Sequence, residues 1–237
     1  MYKFIQASEL IKNYSDSQEV RDFYSEVLAL RFKGYRRYYG TGSVPLDHYD
    51  LIGDHMVIAK KEDNKWRPVL CLRSITVNRC EKHNNVFPFV GHMFHRMEGE
   101  IVNASSQFIK ENGNVCYTNN YTMDPDLPKE EKGKLAELLY GYYYLFHKEY
   151  GVSKFITAAG DRFKLYNVRI GQGYEYLKSD TEFSTFEAEH IMNEKFRVMV
   201  MREFSDYSKN ISKECEQLFR EREILDTTSP KETAKAA

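Results

Sequence analysis

The chain lacks the features that mark secreted, membrane-spanning or nucleic-acid-binding proteins. Its four cysteines are scattered without a CxxC pair, which indicates reduced thiols in a cytoplasmic protein. No stretch approaches the roughly 20 apolar residues that a membrane span needs. The N-terminal segment has neither the apolar run nor the cleavage site of a secretory signal. The 34 basic residues are balanced by 35 acidic ones, which argues against a nucleic-acid partner.

Aromatic residues are abundant despite the single tryptophan. The 18 tyrosines and 15 phenylalanines supply enough apolar surface to exclude disorder for the body of the chain. A chain of 237 residues buries a core without disulfide or metal staples. We therefore expect one domain over residues 1–225, followed by a polar, mobile tail over 226–237.

Helical and strand periodicities alternate along the chain. A capping box at Asp16 and Glu19 predicts a helix that passes Arg31 and ends near Gly34. A turn at Asp63 joins two predicted strands, 55–60 and 68–77, in a hairpin. The other predicted elements are a short helix at 90–97, a strand at 100–109, a loop at 110–128, a long helix that Gly151 closes, a strand at 154–159, a short helix that Asp161 caps and that ends before Gly171, a strand at 196–204 and a helix at 211–225. This order predicts an α/β (α+β) fold with a mixed, mostly antiparallel sheet flanked by helices.

Four short motifs in a fixed order resemble a known enzyme superfamily. DRFKLYNVRIGQGY, with Tyr166 and a Gly173–Tyr174 turn, is similar to the fourth helix of the GCN5-related N-acetyltransferase superfamily. LRFKGYRRYYG, LDHYDLIGDHMVIA and PVLCLRSITV resemble the branch that contains acyl-homoserine-lactone synthases and N-acyl amino acid synthases. The resemblance covers about residues 16–180. It implies the acyl-CoA N-acyltransferase fold.

The resemblance implies transfer of an acyl group from a thioester to the amine of an amino acid or similar small molecule. The donor would be acyl-CoA or the acyl-phosphopantetheine of an acyl carrier protein, and no metal is implied. Two alternatives remain: an acetyl-CoA-dependent acetyltransferase, or a non-catalytic module that keeps the fold and binds a ligand or partner.

The resemblance assigns amine binding to the N-terminal half of the chain. The residues are Arg31, Asp47, Asp50, His55 and Arg73. The aspartates would hold the ammonium, and the arginines would bind a substrate carboxylate in bidentate fashion. Two alternatives stay open: a solvated turn at the aspartates, or buried ion pairs between the arginines and the aspartates.

In this superfamily a splayed strand offers backbone N–H groups to the donor. The predicted segment is SSQFI, and the predicted donor-binding residues are Ser105, Ser106, Gln107 and Phe108. The alternative is a plain core strand. The long helix would receive the donor phosphates at its N-terminus, where Lys132, Gly133 and Lys134 stand in a degenerate phosphate signature. Its alternative is an ordinary solvated first turn.

Two residues are predicted to move protons. Tyr166 is the predicted general acid for the leaving thiolate, with a core aromatic as the alternative. The family's glutamate aligns with Ala104, so Glu100, on the same face of the predicted strand, is the predicted base. A surface carboxylate is the alternative. Cys80, His83, His92 and His95 have a spacing that zinc could use, but nothing else supports a metal and none is expected.

Overall fold

The computed structural model describes residues 1–40, 46–93, 97, 99–161, 164–178, 185–188 and 194–225. The strands are β1 (Tyr2–Ser8), β2 (Asp54–Glu62), β3 (Lys65–Thr76), β4 (Cys116–Met123), β5 (Phe155–Gly160), β6 (Glu175–Tyr176), β7 (Thr185–Ala188), β8 (Glu194–Met201) and β9 (Glu223–Leu225). The helices are α1 (Gln18–Tyr39), α2 (Tyr49–Ile52), α3 (Val77–Lys82), α4 (Gly99–Asn112), α5 (Lys129–Glu149), α6 (Leu165–Gln172) and α7 (Asp206–Arg220). A π-helical turn spans Phe89–Met93.

All the described strands belong to one sheet with the order β6-β8-β5-β4-β3-β2-β1-β9, and β7 also pairs with β8. Pairing is antiparallel except between β4 and β5 and between β1 and β9. The predicted fold class, a mixed and mostly antiparallel sheet flanked by helices, is confirmed.

Helices cover both faces of the sheet. On one face α5 and α7 pack over a cluster that includes Leu139, Tyr142 and Met199. On the other face α1 packs over β1, β2 and β3, and α4 joins a cluster with Val198 and Val200. The alternation of Met199 with Val198 and Val200 shows the two-residue period of β8. Because the core is apolar on both faces of the sheet, a charged side chain buried in it is unusual and calls for an explanation.

Several predicted elements are confirmed. The hairpin of β2 and β3 turns at Asp63 and Asn64, both of which have positive φ. The long helix α5 is followed by Gly151 at φ 66°. Strand β5 follows at the predicted place. Among the described residues, no helix has the length and apolar content that crossing a membrane requires.

The predicted strand at 100–109 is wrong, because this segment is helix α4. Ile101, Ser105 and Phe108 are its buried residues, and their spacing of four and three is helical rather than alternating. The predicted loop at 110–128 contains the strand that was missed, β4. Its sequence, CYTNNYTM, is polar, so it lacks the aliphatic signal of a core strand.

Helix α1 extends beyond its predicted end at Gly34 to Tyr39, and its N-cap is Ser17 rather than Asp16. Gly34 is buried within the helix, where a Cβ atom would lie 2.5 Å from Cγ2 of Thr122. The glycine therefore marks a close approach of α1 to β4 rather than a helix end.

The remaining differences concern single short elements and one helix cap. β1 was not predicted, and the predicted helix at 211–225 is α7 followed by β9. Asp161 does not cap α6; its carboxylate accepts hydrogen bonds from Arg197 at 2.5 and 2.8 Å. Part of the predicted helix at 90–97 and the predicted tail at 226–237 lie outside the described residues.

Candidate functional site

Strands β4 and β5 pair over only two positions. Cys116 pairs with Phe155 and Tyr117 with Ile156. Beyond these two pairs, β4 stays paired with β3 and β5 with β8. In the described chain, residues 118–123 of β4 and 157–160 of β5 therefore form no β-sheet pairing with each other. The hydroxyl of Thr157 donates to the Thr118 carbonyl at 2.6 Å where the strands part. We call this opening the β4–β5 gap.

A bulge in β4 lies at the same place. Cys71 pairs with Thr122 and Arg73 with Asn119, so β4 carries one extra residue between these pairs. Asn120 has φ 56°, a left-handed conformation that asparagine tolerates better than most residues. Its buried side-chain Nδ2 has no acceptor. The bulge bends β4 beside the gap.

Two tyrosine hydroxyls lie at the end of the gap where β4 and β5 part. Tyr143 lies 2.7 Å from the Thr118 hydroxyl and 2.8 Å from the Tyr174 hydroxyl. Burial raises the pKa of both tyrosines, so both hydroxyls keep their protons. Gly173, at φ 114°, turns the chain into this position, and a Cβ atom there would lie 2.5 Å from the Glu203 carbonyl oxygen. The Gly-Tyr turn of the sequence motif therefore places Tyr174 at the gap.

Helix α6 contributes a buried cation that the sequence analysis missed. Arg169 is 2% exposed, and its guanidinium carbon lies 5.4 Å from the Tyr174 ring centroid. Nη1 donates to Oε1 of Gln172 at 2.9 Å. Arg169 Nε and Gln172 Nε2 have no acceptor.

Tyr166, the predicted general acid, lies one turn before Arg169. It is half-buried, and the Arg197 guanidinium stands 5.3 Å from its ring centroid. Residues three apart share a face of a helix. Its catalytic role remains a prediction.

The five predicted amine-binding residues form one cluster on the α1 face, and all of them except Asp47 are buried. Asp50 Oδ1 accepts hydrogen bonds from Arg31 at 2.7 Å and from Arg73 at 2.8 Å. Tyr24 donates to Oδ2 at 3.2 Å. Burial opposes ionisation of Asp50, but Arg73 and Arg31 outweigh it and lower its pKa to about 2. The geometry therefore matches the ion-pair alternative for Asp50.

Asp47 is the accessible member of the cluster. It accepts two hydrogen bonds from Arg73, at 2.5 and 3.1 Å, while 22% of its side chain stays exposed. Arg73 also donates to Oδ1 of Asn119 on β4, at 3.0 Å. His55 Nε2 lies 2.7 Å from the Asp50 carbonyl oxygen, and burial lowers the pKa of its imidazole to about 4. His55 is therefore neutral at physiological pH, and the four charged side chains cancel.

Tyr117, on β4, lies within electrostatic reach of both the Asp50 cluster and Arg169. Burial raises its pKa to about 12, and the charges that act on it include those of Arg73, Asp47 and Arg169.

The predicted donor-binding and base residues on the 100–109 segment need correction, because the strand they depended on is α4. A helix consumes its own N–H groups, so Ser105, Ser106, Gln107 and Phe108 do not form the predicted splayed strand. Ser105 and Phe108 are buried, and Gln107 binds Glu111 at 2.7 Å on the exposed side. Glu100 is exposed in the first turn, so the shared strand face that made it the predicted base does not exist.

The predicted phosphate residues lie at the start of α5. Lys132 Nζ donates to the Pro125 carbonyl at 2.7 Å, and Lys134 Nζ stands 5.8 Å from the Tyr2 ring centroid. Gly133 is exposed, with open space beside it. The nearby cavity, of about 590 Å³, is instead lined by the end of α1 and the loop after β4: Phe32, Lys33, Arg36, Arg37, Pro125 and Asp126. Arg36 and Arg37 follow Gly34, the predicted end of the first helix, so the sequence did not place them on a helix.

The cysteine and histidine considered for zinc have other contacts. Cys80 is buried, and burial raises its thiol pKa to about 12. His83 Nε2 lies 2.8 Å from Glu9 Oε1. The side chains of His92 and His95 lie outside the described residues. No group of three or more metal-ligating side chains occurs in the part of the chain that the structure describes.

Comparisons with known proteins identify the fold but not the substrate. The sequence matches no protein-family model. It matches no curated protein either. Among solved structures, the CoA-dependent acyl-homoserine lactone synthase BjaI with MTA has a TM-score of 0.57 at 11% identity, with 92% of this chain and 90% of that chain covered. BjaI with SAM and isopentyl-CoA gives 0.51 at 13%, with 92% and 90% covered. TofI in a ternary complex with an inhibitor and MTA gives 0.51 at 9%, with 81% and 90% covered. The chain therefore has the GNAT-like acyl-CoA N-acyltransferase fold of these solved structures.

Proposed function

We propose that this protein is an N-acyltransferase that moves an acyl group from a phosphopantetheine thioester to the amine of an amino acid or similar small molecule. The observation that carries the proposal is the β4–β5 gap. There two parallel strands part after two residue pairs, beside a bulge at Asn120. Unpaired strand edges bind extended ligands through main-chain hydrogen bonds. A pantetheine arm, which alternates amide groups with short carbon chains, fits such an edge.

The donor would lie along β4 with its phosphates toward the end of the strand. The 590 Å³ cavity lies at that end, and Arg36 and Arg37 line it. Both arginines are exposed in the last turn of α1. Their guanidinium groups suit phosphates in bidentate geometry. The same charges suit the phosphate of coenzyme A or of a carrier-protein arm, so this feature does not choose between the two donors.

The acceptor amine would enter on the α1 face beside Asp47. Asp47 is the partly exposed carboxylate of the cluster, and Asn119, which binds the same arginine, belongs to β4. An amine bound as its ammonium at Asp47 would lose a proton to water and then approach the thioester across β4. Asp50 would act only by holding Arg73 and Arg31 in place. β4 itself carries no carboxylate, so we assign no general base to this strand.

The bulge provides a direct test of the proposed donor site. Asn120→Gly keeps the left-handed conformation, whereas Asn120→Val disfavours it by about 1–2 kcal/mol. Acyl transfer from acetyl-CoA, octanoyl-CoA and octanoyl-acyl carrier protein to mixed amino acids and polyamines would be followed by mass spectrometry. We expect an acylated amine from the wild-type protein and from Asn120→Gly, and a loss of at least about tenfold in donor affinity for Asn120→Val.

Thermal unfolding of both variants serves as the control for folding. Equal donor affinity of Asn120→Val and Asn120→Gly, with both proteins folded, would place the donor away from the bulge. If the wild-type protein forms no acylated amine from any of the three donors, the proposed N-acyltransferase activity is rejected.

A further inference from the structure

Arg169 is a buried cation that has no counter-ion among the residues that the structure describes. The other two buried arginines of the described chain, Arg31 and Arg73, share Asp50. Arg169 is 2% exposed, and within the described residues its guanidinium donates a single hydrogen bond, to the neutral Gln172 amide. Burial of an unpaired charge is costly, and proteins retain it where a ligand supplies the opposite charge.

The described titratable groups on which the charge of Arg169 acts are neutral at neutral pH. The titratable groups whose charges it influences belong to β4, to α5 and to the turn after α6: Tyr117, Tyr121, Tyr140, Tyr143, His147 and Tyr174. Burial raises the pKa of each of these tyrosines and lowers that of His147 to about 3. All six are therefore neutral between pH 6 and pH 9.

Two hydrogen-bond donors without acceptors indicate that a small anion binds beside them. Arg169 Nε and Gln172 Nε2 are buried without acceptors, and the two side chains are joined by their own hydrogen bond. They are three residues apart on one face of α6. Tyr174, over whose ring Arg169 lies, is linked to Thr118, the residue at which β4 and β5 part.

We propose that Arg169 and Gln172 form the pocket that receives the departing thiolate of the acyl donor. This inference rests on the proposed function. In the step concerned, the acceptor nitrogen forms a bond to the thioester carbonyl carbon and the carbon–sulfur bond breaks. The acceptor nitrogen loses one proton to water when its ammonium becomes a neutral amine before the attack, and a second proton to water as the amide forms. Sulfur leaves with the electron pair as a thiolate. A fixed cation stabilises this thiolate without donating a proton, so the residue predicted for that proton, Tyr166, is not required.

The thiolate pocket is tested by binding rather than by turnover. Coenzyme A and desulfo-coenzyme A, which lacks the sulfur, are titrated calorimetrically into the protein at pH 6 and pH 9. A free thiol ionises near pH 8.5, so only coenzyme A at pH 9 offers the anion. At pH 9 we expect coenzyme A to bind at least about tenfold tighter than desulfo-coenzyme A. At pH 6 the ratio of the two dissociation constants should be smaller.

The variants separate Arg169 from its neighbours. Arg169→Gln should remove the advantage of coenzyme A at pH 9, Arg169→Lys should retain part of it, and Tyr166→Phe should retain all of it. Arg169→Gln should melt no lower than the wild-type protein, because it removes an unpaired buried charge. If it does not fold, Gln172→Met, which removes one donor, should reduce the same ratio.

Two results would overturn the inference. An unchanged ratio in Arg169→Gln, with coenzyme A still bound, would reject the thiolate pocket and leave the proposed function standing. Absence of binding by coenzyme A, by desulfo-coenzyme A and by a phosphopantetheine-bearing carrier protein would reject both.

Discussion

Replacing Asp50 by asparagine should destabilise the protein strongly, because Asp50 neutralises two buried arginines. Its Oδ1 lies 2.7 Å from Arg31 Nη1 and 2.8 Å from Arg73 Nη1, and all three side chains are fully buried. Removal of one partner from a buried ion pair costs about 3–5 kcal/mol. For a chain of this size each kcal/mol lowers Tm by about 2–4 °C, so Asp50→Asn should lower Tm by on the order of 10 °C.

Two matched variants show whether burial and pairing cause the loss. Asp47→Asn leaves Arg73 its bond to Asp50, and we expect a loss of about 1–2 kcal/mol. Asp126→Asn removes an exposed partner of Lys33, at 2.9 Å, and should cost less than about 1 kcal/mol.

The stability difference between the wild-type protein and Asp50→Asn should depend on pH through the pKa of Asp50. Burial opposes the charge, but Arg73 and Arg31 lower the pKa to about 2, below the value near 4 of an unfolded chain. A depressed carboxylate pKa stabilises the fold above about pH 4, and this stabilisation is lost as the pH falls through 2. The free energies of unfolding of wild type and Asp50→Asn should thus converge by on the order of 2–3 kcal/mol on acidification. Urea denaturation at several pH values measures this. An Asp50→Asn variant as stable as Asp126→Asn would refute the account of the cluster.

Other predictions concern buried histidines and close helix packing. Burial lowers the pKa of His55 to about 4 and that of His147 to about 3. The two histidines of the unfolded chain bind protons at a higher pH than those of the folded protein, so their contribution to stability is complete above about pH 6.5. As the pH falls from there toward 4, each histidine lowers the free energy of unfolding by about 1.4 kcal/mol per pH unit. Denaturation between pH 5 and 7 should show this slope, and His147→Gln should remove about half of it; an unchanged slope would contradict the assignment. Gly141→Ala should cost about 1–2 kcal/mol, since a Cβ atom would lie 2.5 Å from Cys215 Sγ. Adding Cys215→Ala should recover part of the loss, and full stability of Gly141→Ala alone would show that the α5–α7 packing is looser than described.

The sequence was sufficient for the elements whose local signals agree with their tertiary role. The hairpin of β2 and β3 had aliphatic runs around a two-residue turn, and α5 had an apolar stripe that ends at a glycine. The five residues around Asp50 were found because they belong to a motif with fixed spacing. Their pairing depends on which face of β3 meets α1, which periodicity alone did not decide.

The donor side was misassigned for a physical reason. β4 is rich in tyrosine, threonine and asparagine, and residues 118–123 border the β4–β5 gap along one edge. Its polar composition favoured a loop, while the apolar residues of α4 imitated a strand in a short window. Arg169 was missed because an arginine in a polar helix is usually solvated, and its burial appears only once α6 is packed against β5.

Hydrogen exchange with and without octanoyl-CoA tests the central claim, that the acyl donor lies along β4 in the gap between β4 and β5. Amide exchange would be followed by mass spectrometry at a donor concentration that calorimetry shows to be saturating. The account predicts new protection at residues 118–123 and 157–160, and no change in α4. Protection confined to α4, or none in either strand at saturation, would contradict it.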